Sequence, residues 1–267
     1  MTISTAKVAL NDRNNSGAER AHDVEITLVN RQESARKEIE RFIRTVFRRA
    51  YGARVNHFPP HLLCMRQDGR VLAALGLRPA EETPLFLETY LDKPIENRLA
   101  EISARPIDRS RVIEVGSLAS SHGGGARALI ITLTAYLSGA SYEWAVFTAT
   151  PQVRNSFVKL GIELIPLAQA DKARLKEAQY SWGSYYDQHP MVVACDVRQG
   201  FAAVHKALES ERLFPTASQL WDDAIEAGRL GCLWQPPRTL ESRWPAWMLP
   251  SEVSHSHASY NQKRDEV

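Results

Sequence analysis

Glu114 is the first side chain of this sequence whose type and setting point to chemistry. It sits inside Arg111-Val-Ile-Glu-Val-Gly-Ser-Leu-Ala119, a run that reads as a strand. Side chains alternate across a strand, so Val112, Glu114, Gly116 and Leu118 are expected on one face. A carboxylate among apolar neighbours is costly unless it is paired or used. Burial lifts its pKa toward the range in which a general base works near neutral pH. Gly116 beside it leaves room for a ligand to come close. The structural alternative is a carboxylate paired with a guanidinium such as Arg78 or Arg111.

Three further groups could join it. Ser120-Ser121-His122-Gly123-Gly124-Gly125 is expected as a loop leading into an apolar helix. Its N–H groups could converge on an anion such as a pyrophosphate or a phosphopantetheine phosphate, or the glycines could simply be a flexible linker. Ser181-Trp-Gly-Ser-Tyr-Tyr186 brings Trp182, Tyr185 and Tyr186, which could cover an acyl tunnel, supply a phenolic proton, or only pack together. Arg41, Arg44, Arg48 and Arg49 share the polar face of a helix. Such a face could dock an acidic carrier protein or anionic lipid, or be plain solvated surface. His57, His61 and His189 are isolated, and neither metal-ligand spacing nor a Gly-x-Ser-x-Gly elbow is present. No metal is therefore expected.

The elements that would position these groups follow from periodicity. Val24–Val29 alternates as a strand. From Gln32 to Ala50, Ala35, Ile39, Phe42, Ile43, Val46, Phe47 and Ala50 make one apolar helical stripe opposite an arginine-rich face that includes Arg36. His61–Met65 and Val71–Leu77 flank Asp68-Gly69 as a hairpin. Phe86–Ala100 reads as a helix interrupted by Pro94. Arg111–Ala119 is followed by a helix at Ala126–Leu137 and a strand at Glu143–Thr148. A helix at Gln152–Leu160 stops at Gly161, and Ile162–Leu167 and Met191–Asp196 are the last strands. Phe201–Ser210 and Ala217–Ala227 read as amphipathic helices. The predicted fold class is α/β, one mixed central sheet flanked by helices with a C-terminal helical extension. The expected divisions are a disordered leader at 1–23, the α/β domain at 24–198, the helical extension at 199–230, and a Trp/Pro-rich then polar tail at 231–267.

Composition narrows the class. The chain has 267 residues, 44% hydrophobic and 24% charged, with a formal net charge of +2. This is ordinary globular composition, and the charge is too small to imply nucleic-acid binding. Cys64, Cys195 and Cys232 are odd in number and far apart, which suits a reducing compartment rather than a disulfide scaffold. The N-terminus lacks an apolar h-region and no run spans a bilayer, so a cytoplasmic protein without stable membrane insertion is expected.

Arg154-Asn-Ser-Phe-Val-Lys-Leu-Gly-Ile162, after a strand, resembles the Asn…Tyr-x-Lys-x-Gly-Phe signature of the N-acetyltransferase (GNAT) superfamily. The resemblance implies a GNAT-like core. In it, backbone at Ser117, Leu118 and Ala119 would hold the pantetheine arm of an acyl donor. Gly123, Gly124 and Gly125 would take its phosphate, and Asn155 would flank it. Phe157 stands where those enzymes often carry a tyrosine acid, and a serine opens the phosphate loop in place of arginine or glutamine.

A narrower likeness joins Arg111–Ala119, Val146-Phe-Thr-Ala-Thr-Pro151 with Arg154-Asn155, and Ser181–Tyr186. Together they resemble the bacterial thermostable hemolysin family over roughly 24–200, with distant similarity to acyl-homoserine-lactone synthases. By that similarity Arg44, Phe47 and Glu114 would line the acceptor site, beside Arg78 and Trp182. The synthases' Glu-x-Asp-x-x-Asp pattern is absent, which points to a different acceptor.

The expected function is therefore acyl transfer, with Glu114 as base and Tyr185 as proton donor. A fatty acyl group would pass from acyl carrier protein or acyl-CoA to a small amine or hydroxyl acceptor, in lipid biosynthesis that could yield a surface-active product. The alternatives are a hemolysin acting directly on membranes and a non-catalytic acyl-carrier-binding module.

Overall fold

Turn residues punctuate the chain into strands that pair with their sequence neighbours. In the computed structural model, which describes residues 2–8, 22–121, 123–175, 182–210 and 214–230, they build one mixed sheet. Its strands are β1 (Thr2–Val8), β2 (His22–Val29), β3 (His61–Gln67), β4 (Arg70–Pro79), β5 (Val112–Ser120), β6 (Trp144–Ala149), β7 (Ile165–Gln169) and β8 (Met191–Asp196). The spatial order is β1-β2-β3-β4-β5-β6-β8-β7. Every adjacent pair is antiparallel except β5 and β6. The β3–β4 turn has Asp68 at φ 50° and Gly69 at φ 75°, the left-handed pair of a type I′ hairpin.

Helices cover both faces. On one lie α1 (Arg36–Tyr51) and α2 (Ile95–Ser103), whose Ile39, Ile43, Phe47, Ile95 and Leu99 pack with Leu62, Val112 and Val146. On the other lie α3 (Gly123–Gly139), α4 (Pro151–Val158), α5 (Val197–Ser210) and α6 (Phe214–Leu230), burying Leu133, Tyr136, Phe157, Val204 and Trp221 against Leu75, Val115 and Phe147. The α3–α6 crossing is glycine-mediated. A Cβ on Gly139 would lie 2.1 Å from the Ile225 carbonyl oxygen, and one on Gly228 2.2 Å from that of Tyr136.

The expected mixed sheet with flanking helices and a C-terminal helical extension is the observed one, with three corrections. Thr2–Val8 is not a disordered leader but an edge strand on β2, whose first residue is His22. The expected C-terminal helices are α5 and α6, which pack into the main core through Val204, Leu208 and Trp221. Gly123–Gly125 form the first turn of α3 rather than a loop. Arg36 is not on a solvated face: it is 7% exposed, and its two terminal nitrogens donate to the carbonyls of Pro59 and Pro60, each at 2.7 Å. The described residues lie within one compact unit, Met1–Trp234. The second unit, Gln235–Val267, falls outside them, as do His122 and Ser181.

Candidate active site

β5 runs beside β6 only from Val112 to Val115, opposite Trp144 to Phe147. Beyond that point β5 stays with β4, reaching Ser120 opposite Ala73, while β6 stays with β8. The two parallel strands therefore splay. A bulge accentuates the divergence: Gly76 faces Gly116 and Ala74 faces Ala119, so Leu75 opposes both Ser117 and Leu118. Ser117 takes φ 54°, a left-handed value uncommon outside glycine. The extra residue also reverses the alternation. Leu118 packs with the α3-side core and Ala119 with the α1-side core, so Leu118 does not share the Glu114 face as strict alternation predicts.

A cleft of about 360 Å³ opens at this splay. Its lining draws on both cores: Phe47, Tyr90, Tyr185 and Tyr186 from the α1 side, and Val115, Phe147 and Phe157 from the α3 side.

One wall is the stretch 52–60. Arg36 grips its far end, and Pro59 rests on Gly76, where a Cβ would come within 2.4 Å of the ring. Arg44 donates to the Val55 carbonyl at 3.2 Å, pairs with Glu40 and stacks 4.7 Å over Phe58. So held, the stretch presents Arg54, Asn56 and His57 to the cleft.

The opposite wall is aromatic. Ser184 N–H donates to the Tyr51 carbonyl at 2.9 Å, and Gly183, at φ 52°, lets the two backbones touch. This lays Trp182 and Tyr185 against Phe47, Tyr51 and Phe86, and Tyr186 against Trp182 and Tyr185, with tilted or edge-on ring pairs 5.3–6.5 Å apart.

Glu114 lies between these walls, 6% exposed. Its two oxygens accept from the backbone N–H groups of Phe86 (2.9 Å) and Leu87 (2.8 Å), and Arg78 Nε stands 3.6 Å away. Burial raises its pKa above the ordinary carboxylate value, while the two amides and Arg78 pull it back. The Phe86–Tyr90 turn that supplies those amides is itself clamped. Arg109 grips Glu88 through two nitrogens (2.7 and 2.9 Å), and Glu88 accepts from the N–H groups of Leu85 and Ile95. Of the four phenols lining the cleft, three have hydrogen-bonded hydroxyls. Tyr185 donates to the Thr148 carbonyl at 3.3 Å, and the hydroxyls of Tyr90 and Tyr186 bond to each other.

Of the residues singled out in the sequence, Glu114, Phe47, Arg78, Ser117, Leu118, Trp182 and Tyr185 line the cleft. Ala119 is buried behind it, and Gly123–Gly125 head α3 outside its lining. Asn155 is exposed on α4, in an outer groove with Arg154 and Val158. Arg44 is spent on holding the 52–60 stretch, while Arg41, Arg48 and Arg49 are exposed along α1. Tyr51, Phe86, Tyr90 and Arg54 were not singled out. Tyr51 was within reach, since it follows Phe47 by four residues on one helix. Tyr90 carries no local signal, because its partner Tyr186 lies 96 positions away.

Residues 29–201 match the profile of the family described as Thermostable hemolysin, and the chain belongs to that family. A search of curated sequences found no match. Among solved structures, the AHL synthase LasI is 13% identical, with a TM-score of 0.48, covering 68% of this chain and 95% of its own. FeeM, an N-acyl amino acid synthase from uncultured soil microbes, is 12% identical, with a TM-score of 0.46, covering 66% and 93%. The N-acetylglutamate synthase from Neisseria gonorrhoeae is 12% identical, with a TM-score of 0.36, covering 64% and 35%.

Proposed function

We propose that this member of the thermostable hemolysin family is an acyltransferase. It moves a fatty acyl group from the thioester of acyl carrier protein or acyl-CoA to a small amine or hydroxyl acceptor. The observation that carries the reading is Glu114, a buried carboxylate with a raised pKa, lining a cleft at the breach between β5 and β6. A carboxylate so placed takes the proton that the acceptor loses as it attacks the thioester carbonyl. Its amide partners and Arg78 fix the carboxylate plane, leaving further lone pairs for the acceptor. Past Val115 the β6-facing side of β5 has no strand partner among the described residues, so backbone at Ser117–Ala119 fits an extended pantetheine arm. The N-terminus of α3 at Gly123–Gly125 takes the phosphate and Asn155 flanks it. Phe47, Arg78 and Trp182 hold the acceptor side. Exposed Arg41, Arg48 and Arg49 suit an acidic carrier protein, whereas Arg44 serves the fold. Use of either donor would be a cytoplasmic reaction.

Thiol release from a panel of acyl-carrier-protein and acyl-CoA donors, with pooled amines and amino acids as acceptors, tests this. Release should depend on acceptor and be lost in Glu114→Gln while calorimetric donor binding persists; full turnover in that variant rules out the base. If donor binds but no thiol is released, the chain is a carrier-binding module, a reading that Phe157 at the usual acid position favours.

The family's description favours direct lysis instead. No helix among the described residues is long and apolar enough to cross a membrane. If the product is a surface-active lipid, purified protein without donor leaves red cells intact; lysis by the protein alone establishes the direct route.

A further inference from the structure

Acyl transfer also needs a proton for the departing sulfur, and the three hydrogen-bonded phenols among the four tyrosines lining the cleft differ in what they can offer. A phenol carries one proton. That of Tyr185 is committed to the Thr148 carbonyl. Tyr90 and Tyr186 share a single hydroxyl-to-hydroxyl bond, and neither hydroxyl has another partner among the described residues. One of their two protons lies between the oxygens, and the other is left for a third group. Both rings line the cleft that holds Glu114, with centroids 6.4 Å apart. Neither is loosely held: Arg174 donates to the Tyr90 carbonyl at 3.0 Å, and the Arg109–Glu88 clamp fixes the turn that Tyr90 ends.

The pair is also polarised. Burial raises both phenols, Tyr186 to about 12 and Tyr90 further. The shared bond pulls Tyr186 down and pushes Tyr90 up, so Tyr186 is the readier of the two to give up a proton.

We propose that the Tyr90–Tyr186 hydroxyl pair is the proton donor to the leaving thiol, Tyr186 giving the proton and Tyr90 bonding to the oxygen left behind. The step balances without another reagent. The acceptor–carbonyl bond forms and the carbonyl–sulfur bond breaks. Glu114 takes the proton the acceptor loses and Tyr186 supplies one to sulfur. Glu114 then releases its proton to water and Tyr186 regains one. The assignment rests on the acyl-transfer reading and replaces Tyr185 as donor.

The test compares two thioesters of one fatty acid, an alkyl thioester and an aryl thioester. The aryl thiolate leaves without needing a proton. Tyr186→Phe keeps the ring and loses the proton. It should lower turnover of the alkyl thioester about 100-fold or more, the range for general acid catalysis, and recover most of that loss on the aryl thioester. Tyr90→Phe should show the same dependence with a smaller deficit, whereas any deficit of Tyr185→Phe should be equal on the two thioesters. Equal deficits of Tyr186→Phe on both thioesters, or no deficit, overturn the pair's role while acyl transfer stands. A wild-type protein that releases no thiol from either overturns acyl transfer and the proposal together.

Discussion

Two glycines on adjacent strands, both beneath Pro59, should respond oppositely to the same added methyl group. A Cβ on Gly76 would sit 2.4 Å from Pro59 Cγ, 2.7 Å from Cδ and 2.9 Å from Cβ. The ring cannot yield by rotating a torsion, and Arg36 holds the Pro59 carbonyl from the other side. Overpacking of this kind costs about 1–3 kcal/mol, partly offset by the ~0.4–1 kcal/mol that alanine gains by narrowing the unfolded ensemble. Gly76→Ala should therefore lose about 1–2 kcal/mol. A Cβ on Gly116 meets the same ring at 3.7 Å, an ordinary contact, so Gly116→Ala keeps the entropic gain alone. Taken with a urea m-value of about 3 kcal/mol/M, a gap of ~2 kcal/mol separates the two midpoints by roughly 0.7 M. Urea denaturation followed by tryptophan fluorescence measures it. Gly76→Ala should also slow thiol release, since the displaced stretch carries Arg54 and His57 into the cleft. A Gly76→Ala midpoint equal to or above that of Gly116→Ala refutes the packing argument.

Three other outcomes are expected. Arg78 holds the Glu114 carboxyl down against burial, so Arg78→Gln raises its pKa further and moves the acid limb of kcat/KM to higher pH; a limb that stays or moves down excludes this coupling. Ser117→Val places a β-branched side chain on left-handed backbone and should cost about 1–2 kcal/mol, whereas Ser117→Gly should match or exceed the wild-type melting temperature. In Gly228→Ala the new Cβ meets backbone, 2.2 Å from the Tyr136 oxygen, so the ~1 kcal/mol helix-propensity gain is outweighed and calorimetry should show Tm falling by roughly 3–8 °C.

Glu114 was legible because a single carboxylate in an apolar alternating run has few places to go, and its partner Arg78 faces it across the β4–β5 ladder. The same rule failed four residues later, at Leu118, because a bulge depends on how two strands meet and not on either alone. The three glycines read as a loop on propensity. At Gly125 the tertiary demand is closeness: a Cβ there would lie 2.8 Å from Ser120 Oγ and 3.0 Å from Leu72 Cγ. Arg36 looked solvated and Arg44 free for an acceptor or a carrier protein because helical spacing shows which face an arginine occupies, not which carbonyl comes within its reach. Their acceptors at Pro59, Pro60 and Val55 lie 23, 24 and 11 positions away in sequence, brought near only when the chain doubles back.

Both outer walls of the cleft hang from one helix. The 52–60 stretch leaves the last turn of α1 and is tied back to its first turn by Arg36, while the aromatic segment is hooked to the Tyr51 carbonyl at the end of the same helix. Helix, stretch and aromatic segment thus form a single jaw set against a floor made by the sheet. Widening the cleft requires that jaw to slide as a body across β4 and β5, not a flap to lift. A bulky acyl group would then be accommodated through the packing of Ile39, Ile43 and Phe47, and size selectivity would be written into the core beneath α1 and not into the residues that touch the ligand.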